Sequence, residues 1–208
     1  MSKLNLRNKK LRSLSDVEIP TDIIELDCGN NELTSLKGLD KCVSLKILQC
    51  SENKLTSLKG LENCIMLEEL ECSCNKLTSL EELENCKSLI LLECYSNKLT
   101  SLKSLEQCIL LKELECSCNQ LTSLEGLENC ILLEELNCKQ NSITSLKRCP
   151  DKVINKIDSN ILESEIIRQR EKINQLKDEI NSLRALPGSE LYQKALEDFY
   201  KYSKTSQK

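Results

Sequence analysis

One repeat of 22 residues accounts for most of this chain. Six copies follow in register and read L-x-x-L-x-C-x-x-N-x-L-T-S-L-x-x-L-x-x-C-x-x, after a degenerate copy with Leu4, Leu6, Leu11 and Leu14. A unit of this length cannot bury its apolar residues alone, so neighbouring copies must stack and share one elongated core. Aromatic residues make up only 2% of the chain, so aliphatic side chains must fill that core.

The spacing within each copy predicts a short strand followed by an irregular return. Leu70 and Cys72 alternate with Glu69 and Glu71, so the two sets face opposite sides of a strand. Few residues separate Leu80 from the next strand, and a full helix does not fit there. We therefore expect one strand per copy in a parallel sheet, with 3₁₀ or irregular returns.

The repeat resembles the leucine-rich repeat family, in its 22-residue class, over residues 4–158. It departs from the usual family pattern by carrying Cys where a third Leu is common. Phrases such as LECSCNKLTSL also resemble uncharacterised leucine-rich repeat proteins of giant DNA viruses. The resemblance implies an α/β repeat solenoid with a curved one-layer parallel β-sheet, an irregular or 3₁₀ convex side, and a concave binding face.

An asparagine recurs where each copy turns out of its strand. Its amide can satisfy N–H and C=O groups of its own turn and of the neighbouring copies. Stacked in a column, these side chains are predicted to form a structural ladder. The ladder comprises Asn31, Asn53, Asn75, Asn97, Asn119 and Asn141.

Eleven of the fourteen cysteines fall in two columns of the repeat. This regular spacing favours reduced thiols that pack as small hydrophobes, whereas a secreted chain would suggest a disulfide scaffold. Cys74 and Cys118 depart from the columns, so we expect exposed thiols that oxidise first. The chain has no His, and its Cys-Ser-Cys pairs lie two copies apart, so no metal site or other cofactor is predicted.

Four segments are predicted along the chain. Residues 1–22 form a degenerate capping repeat, and residues 23–158 hold the repeats, the last of them truncated. Residues 159–186 form an amphipathic helix, and residues 187–208 form a second short helix with a polar tail. The two helices either fold together as a C-terminal hairpin, or the long helix pairs with another chain as a short coiled coil.

The outward strand positions of the repeats carry eight carboxylates and no basic residue. The turns and the return path carry the opposite charge, at Lys37, Lys54, Lys59, Lys76, Lys98, Lys103 and Lys147. This separation of charge, with apolar residues beside the carboxylates, favours a protein partner that offers a basic segment and an apolar anchor. The predicted partner-binding residues are Ile47, Glu69, Glu71, Leu91, Glu93, Tyr95, Glu113 and Glu115.

A non-catalytic module for protein–protein interaction is the function that the sequence favours. An enzyme is disfavoured, because the chain lacks His, a glycine-rich phosphate loop and a nucleophile signature. The net charge of −4 argues against nucleic-acid binding. No apolar run reaches the roughly 18 residues that a membrane span needs.

A second interpretation is a structural or assembly component that self-associates weakly through residues 160–202. The polar N-terminus shows no signal peptide, so we expect a cytoplasmic location, or a host cytoplasm or virion if the chain is viral.

Overall fold

The computed structural model describes residues 2–146, 149–150, 153, 159–182 and 190–205. The chain forms two compact units, Met1–Asp158 and Ser159–Lys208. The first unit contains the repeats and the second contains two helices.

The repeat unit is built on one parallel sheet of seven short strands that follow one another in chain order. Each strand pairs with the next at a step of 22 residues, so Leu4 lies beside Leu26, and Leu26 beside Leu48. The strands are β1 (Lys3–Asn5), β2 (Glu25–Asp27), β3 (Ile47–Gln49), β4 (Glu69–Glu71), β5 (Leu91–Glu93), β6 (Glu113–Glu115) and β7 (Glu135–Asn137).

The central residue of each strand from β2 to β7 is a leucine that packs into the solenoid interior. The cysteine two residues later is also buried, as at Cys72 and Cys94. Alternation along the strand places the flanking residues, such as Glu69 and Glu71, on the opposite side. The predicted parallel-sheet solenoid is therefore confirmed.

The returns between strands are short turns, as expected. Glu81–Leu83 and Lys103–Leu105 are 3₁₀ turns. Elsewhere on the return path, Gly60 adopts a φ of +114°, and a Cβ there would overlap the carbonyl oxygen of Leu36. Glycine is required at that position because the backbones of two repeats touch.

Each repeat asparagine from Asn31 to Asn141 ties its own turn to the repeat before it. The Nδ2 of Asn97 donates to the main-chain oxygens of Cys94 and Cys72, both at 3.1 Å. Its Oδ1 accepts from the main-chain nitrogen of Leu77 at 2.9 Å. Side-chain amides thus satisfy main-chain groups that strand pairing leaves open at every step.

The second unit is a helical pair, which confirms the expected pair of C-terminal helices. Helix α1 spans Ser159–Ser182 and helix α2 spans Glu190–Thr205, and the two contact each other. Leu176 of α1 and Ala195 of α2 are buried. Parts of the predicted segments, at residues 183–189 and 206–208, lie outside the described residues.

Candidate functional site

Two rows of side chains cross the outer face of the sheet, one from the first and one from the last residue of each strand. The register of the strands aligns both rows. The first row is Lys3, Glu25, Ile47, Glu69, Leu91, Glu113 and Glu135. The second row is Asn5, Asp27, Gln49, Glu71, Glu93, Glu115 and Asn137.

The N-terminal end of this face carries basic residues that the repeat pattern did not place there. Lys3 of β1 forms an ion pair with Glu25. Arg7 lies 3.8 Å from Asp27 and 3.2 Å from Glu52. The six full repeats carry no basic residue at these positions. The degenerate first repeat adds Lys3 to the face, because it contributes strand β1 to the same sheet.

Among the described residues of this face, the carboxylates without an ion-pair partner therefore lie on β4 to β7. Two of them are held by neighbouring amides, since Gln49 donates to Glu71 at 2.9 Å and Asn137 donates to Glu115 at 2.6 Å. The main-chain nitrogen of Ser117 also donates to Glu115, at 2.9 Å. These contacts fix carboxylates on both sides of Glu93.

Glu93 lies in the second row between Glu71 and Glu115, at the centre of three successive glutamates. Partial burial raises its pKa above the ordinary value of 4.5, and the negative charges of Glu71, Glu115 and Glu113 raise it further. Strands in a sheet lie about 4.8 Å apart, so these like charges repel one another, and solvent screening limits the repulsion to roughly a few tenths of a kcal/mol. A bound cation or basic side chain would relieve this repulsion.

A recess of about 590 Å³ lies over β5 to β7. It brings together five of the predicted partner-binding residues, while Ile47, Glu69 and Glu71 lie outside it on neighbouring strands. The five residues are Leu91, Glu93, Tyr95, Glu113 and Glu115. Three polar residues that the prediction omitted, Ser117, Glu135 and Asn137, also line the recess.

Tyr95 is exposed at the border of the recess. The main-chain nitrogen of Cys74 donates to its main-chain oxygen at 2.9 Å. The pKa of Tyr95 is raised, first by the neighbouring Cys74, then by burial and by the charge of Glu93. An aromatic ring with a polar tip therefore stands beside the acidic rows.

The column cysteines are buried thiols, whereas Cys118 is exposed and Cys74 is half-buried. Burial raises the pKa of Cys72 to about 12 and that of Cys94 well above its usual range. The thiol of Cys118 donates to Oε1 of Gln140 at 2.7 Å.

The described residues contain no group of three or more Asp, Glu or Cys side chains arranged to hold a metal ion. Neither described helix has the length and apolar character that crossing a membrane would require.

A family model described as leucine-rich repeats, in two copies, matches residues 21–63. None of the curated proteins compared with the chain matches it.

Solved structures share the fold. An internalin (inlF) from Listeria monocytogenes str. 4b F2365 is 22% identical with a TM-score of 0.61, and the match covers 76% of this chain and 53% of the internalin. The functional domain of InlJ from Listeria monocytogenes, which includes a cysteine ladder, is 35% identical with a TM-score of 0.57, over 61% of this chain and 27% of InlJ. The chain thus spans about half of the first structure and about a quarter of the second.

A third similar structure is the ectodomain of the plant membrane receptor kinase GASSHO1/SCHENGEN3 from Arabidopsis thaliana, in complex with CASPARIAN STRIP INTEGRITY FACTOR 2. It is 25% identical with a TM-score of 0.57, and the match covers 69% of this chain and 19% of the receptor. Together, the seven-stranded repeat sheet, the matched family model and these neighbours support a leucine-rich repeat family for the chain.

Proposed function

We propose that this chain is a non-catalytic protein-interaction module that binds a basic segment of a partner protein on the outer sheet face, the concave side of the solenoid. The observation that carries the proposal is the run of in-register carboxylates on β4 to β7, with Glu93 at its centre. An uncharged side chain at Glu93 would remove this repulsion, so folding does not require a carboxylate there.

The chemistry of the recess indicates what such a partner would offer. Arg or Lys side chains would lie between the rows and pair with Glu93 and Glu113, which line the same recess. An apolar side chain would contact Leu91 and the exposed ring of Tyr95. The receptor kinase ectodomain with the same fold is in complex with CASPARIAN STRIP INTEGRITY FACTOR 2, and that precedent supports a protein partner for this chain.

Repeat solenoids of this kind commonly serve as binding surfaces, which supports a module without catalytic activity. We also propose a cytoplasmic location, which the expected reduced state of the cysteine columns supports. Self-association through residues 160–202 and the resemblance to giant-virus proteins stay predictions.

Affinity capture from a native lysate tests the proposal. The variant replaces Glu69, Glu71, Glu93, Glu113 and Glu115 with glutamine, which keeps side-chain size and removes the charge. The matched control replaces five acidic residues of the helices, Glu171, Asp178, Glu179, Glu197 and Asp198, with their amides. A partner that wild type and control retain and the sheet variant loses supports the proposal. A partner that all three retain contradicts it.

A further inference from the structure

A line of exposed apolar side chains runs along the repeats at the entry to the strands. Repeat after repeat, two residues separate a buried cysteine from a buried leucine, as Ile109 and Leu110 separate Cys108 from Leu111. We call the apolar residues at these positions the apolar ridge. They are Val43, Ile65, Met66, Ile109, Leu110, Ile131 and Leu132, with exposed fractions from 41% to 71%.

The ridge residues occupy the tips of tight turns. The main-chain nitrogen of Leu111 donates to the oxygen of Cys108 at 3.1 Å, and Leu133 donates to Cys130 at 3.0 Å. Since both ends of each turn are buried, the two central side chains must point outward. Turn tips normally carry Gly, Asn, Asp, Ser or Pro, so neither the turn nor the core requires Ile or Leu there.

An acidic column accompanies the ridge. The turn just before each ridge turn presents one carboxylate. In the third full repeat this residue is Glu84, which lies between the buried residues Leu83 and Cys86. The column is Asp40, Glu62, Glu84, Glu106 and Glu128. Glu62 and Glu128 also accept from the main-chain nitrogens of Gly60 and Gly126, at 2.8 Å and 2.7 Å. An apolar line with carboxylates along one side favours an apolar partner surface with basic residues along the matching side.

The ridge is interrupted once, at Lys87 and Ser88 in its middle repeat. Lys87 is exposed at the turn tip where the neighbouring repeats present Ile65 and Ile109. A partner that covers the whole ridge must therefore place an acceptor, such as a carboxylate, at its midpoint.

We propose that the ridge binds an amphipathic α-helix of another protein, with an apolar stripe, a basic flank and one acidic residue at its middle turn. The spacing of the repeats supports a helix laid along the solenoid. Stacked strands lie about 4.8 Å apart and a helical turn rises 5.4 Å, so successive turns meet successive repeats. Five repeats correspond to about 14 residues of helix. This second surface is separate from the carboxylate rows of the sheet.

Fluorescence polarisation with a defined probe tests the proposal on the full chain. The probe is a labelled synthetic helix with leucines spaced three and four residues apart, lysines on one flank and glutamate at the middle turn. Replacing Ile109 and Ile131 with serine should weaken its binding about tenfold or more, since a few large apolar side chains carry most of the affinity of an interface. Both side chains are exposed, so the variant keeps its core, and its melting temperature verifies this.

Two controls locate the binding. A sheet variant with Glu93, Glu113 and Glu115 changed to glutamine should bind the probe within about twofold of wild type. A scrambled peptide of the same composition, without the leucine stripe, should bind at least about tenfold more weakly. The proposal is overturned if the sheet variant, and not the ridge variant, loses binding of the probe. It is also overturned if the scrambled peptide binds as tightly as the probe, or if wild type does not bind the probe.

A charge exchange examines the midpoint contact. Wild type should prefer the probe with a central glutamate over one with a central lysine by about threefold to tenfold, and Lys87→Glu should invert this preference. An unchanged preference contradicts the proposed register. Sedimentation of wild type and of the Ile109→Ser, Ile131→Ser variant measures whether the ridge joins two copies of this chain. A dimer that wild type forms and the variant does not would show that a second copy occupies the ridge, and it would contradict the proposed helical partner.

Discussion

Glu93 lies beside Glu71 in the parallel sheet, paired in register on neighbouring strands. Burial and this neighbouring charge hold the pKa of Glu93 above its ordinary value of 4.5. The two carboxylates make the repeat unit less stable when ionised, yet they provide the negative charge that a basic partner would recognise. Stability and binding should therefore respond to this residue in opposite directions.

The Glu93→Gln variant should be more stable than wild type at neutral pH by a few tenths of a kcal/mol, since the charge is partly exposed and screened. The stabilising effect of protonated Glu93 is fully present below its unfolded pKa and is lost as pH rises through the raised folded pKa. Denaturant unfolding from pH 4 to pH 7 should show this trend in wild type and a smaller one in the variant. A variant less stable at pH 7 would contradict the repulsion.

The Asn97→Ala variant should lose about 2–4 kcal/mol of unfolding free energy. Its amide makes several main-chain hydrogen bonds, and their loss leaves buried carbonyl and N–H groups without partners. Aspartate should not restore stability, since a carboxylate cannot donate to the oxygens of Cys72 and Cys94. The control is Asn63→Ala, which removes one exposed bond at 3.1 Å and should cost under about 1 kcal/mol. Equal losses in chemical denaturation would show that the ladder has no special role.

Two glycines with nearly the same backbone angle should tolerate alanine differently. Gly38 and Gly60 have φ values of +112° and +114°, but a Cβ at Gly38 meets only Leu14 at 4.0 Å, whereas one at Gly60 overlaps Leu36. Gly38→Ala should lower the free energy of unfolding by about 1–3 kcal/mol because of backbone strain. Gly60→Ala should lower the free energy of unfolding by clearly more, because the repeats that contain Gly60 and Leu36 must move apart to admit the methyl group. Thermal unfolding of both variants measures the difference, and equal melting temperatures would refute the close approach.

Thiol labelling should separate the cysteines into two classes. Cys118 and Cys74 should react fastest with a maleimide at pH 7.5, because they are more accessible than the column cysteines. Burial raises the pKa of Cys64 to about 12, so its thiolate is scarce at that pH. Mass spectrometry of peptides from the native protein identifies the labelled positions. Fast labelling of Cys64 or Cys94 would contradict the buried columns.

The repeat determined how much of this structure could be predicted. A fixed step of 22 residues aligns every copy. The alternation of apolar and polar residues along one strand therefore predicted that Leu70 points inward and Glu71 points outward. The helical pair followed from a change of period near residue 159. These features depend on local spacing, which a sequence displays directly.

Other features depend on contacts that the consensus does not contain. Lys3 and Arg7 belong to a degenerate copy, so their ion pairs with Glu25 and Asp27 required the register of β1 on β2. The apolar ridge was visible as Ile, Val and Leu in the two variable positions after the second cysteine. Its exposure became evident only when both neighbours in each turn proved to be buried.

Photo-crosslinking from Leu91 tests the central proposal most directly. The Leu91→p-benzoylphenylalanine variant places a reactive group in the acidic recess, and Thr78→p-benzoylphenylalanine places one at an exposed turn as the control. The proposal predicts that position 91, and not position 78, crosslinks a protein in native lysate through a segment rich in Lys and Arg. Adding the Glu93→Gln and Glu113→Gln changes should reduce that product. Crosslinks to the same protein at equal yield from both positions, or a yield unaffected by the loss of charge, would contradict it.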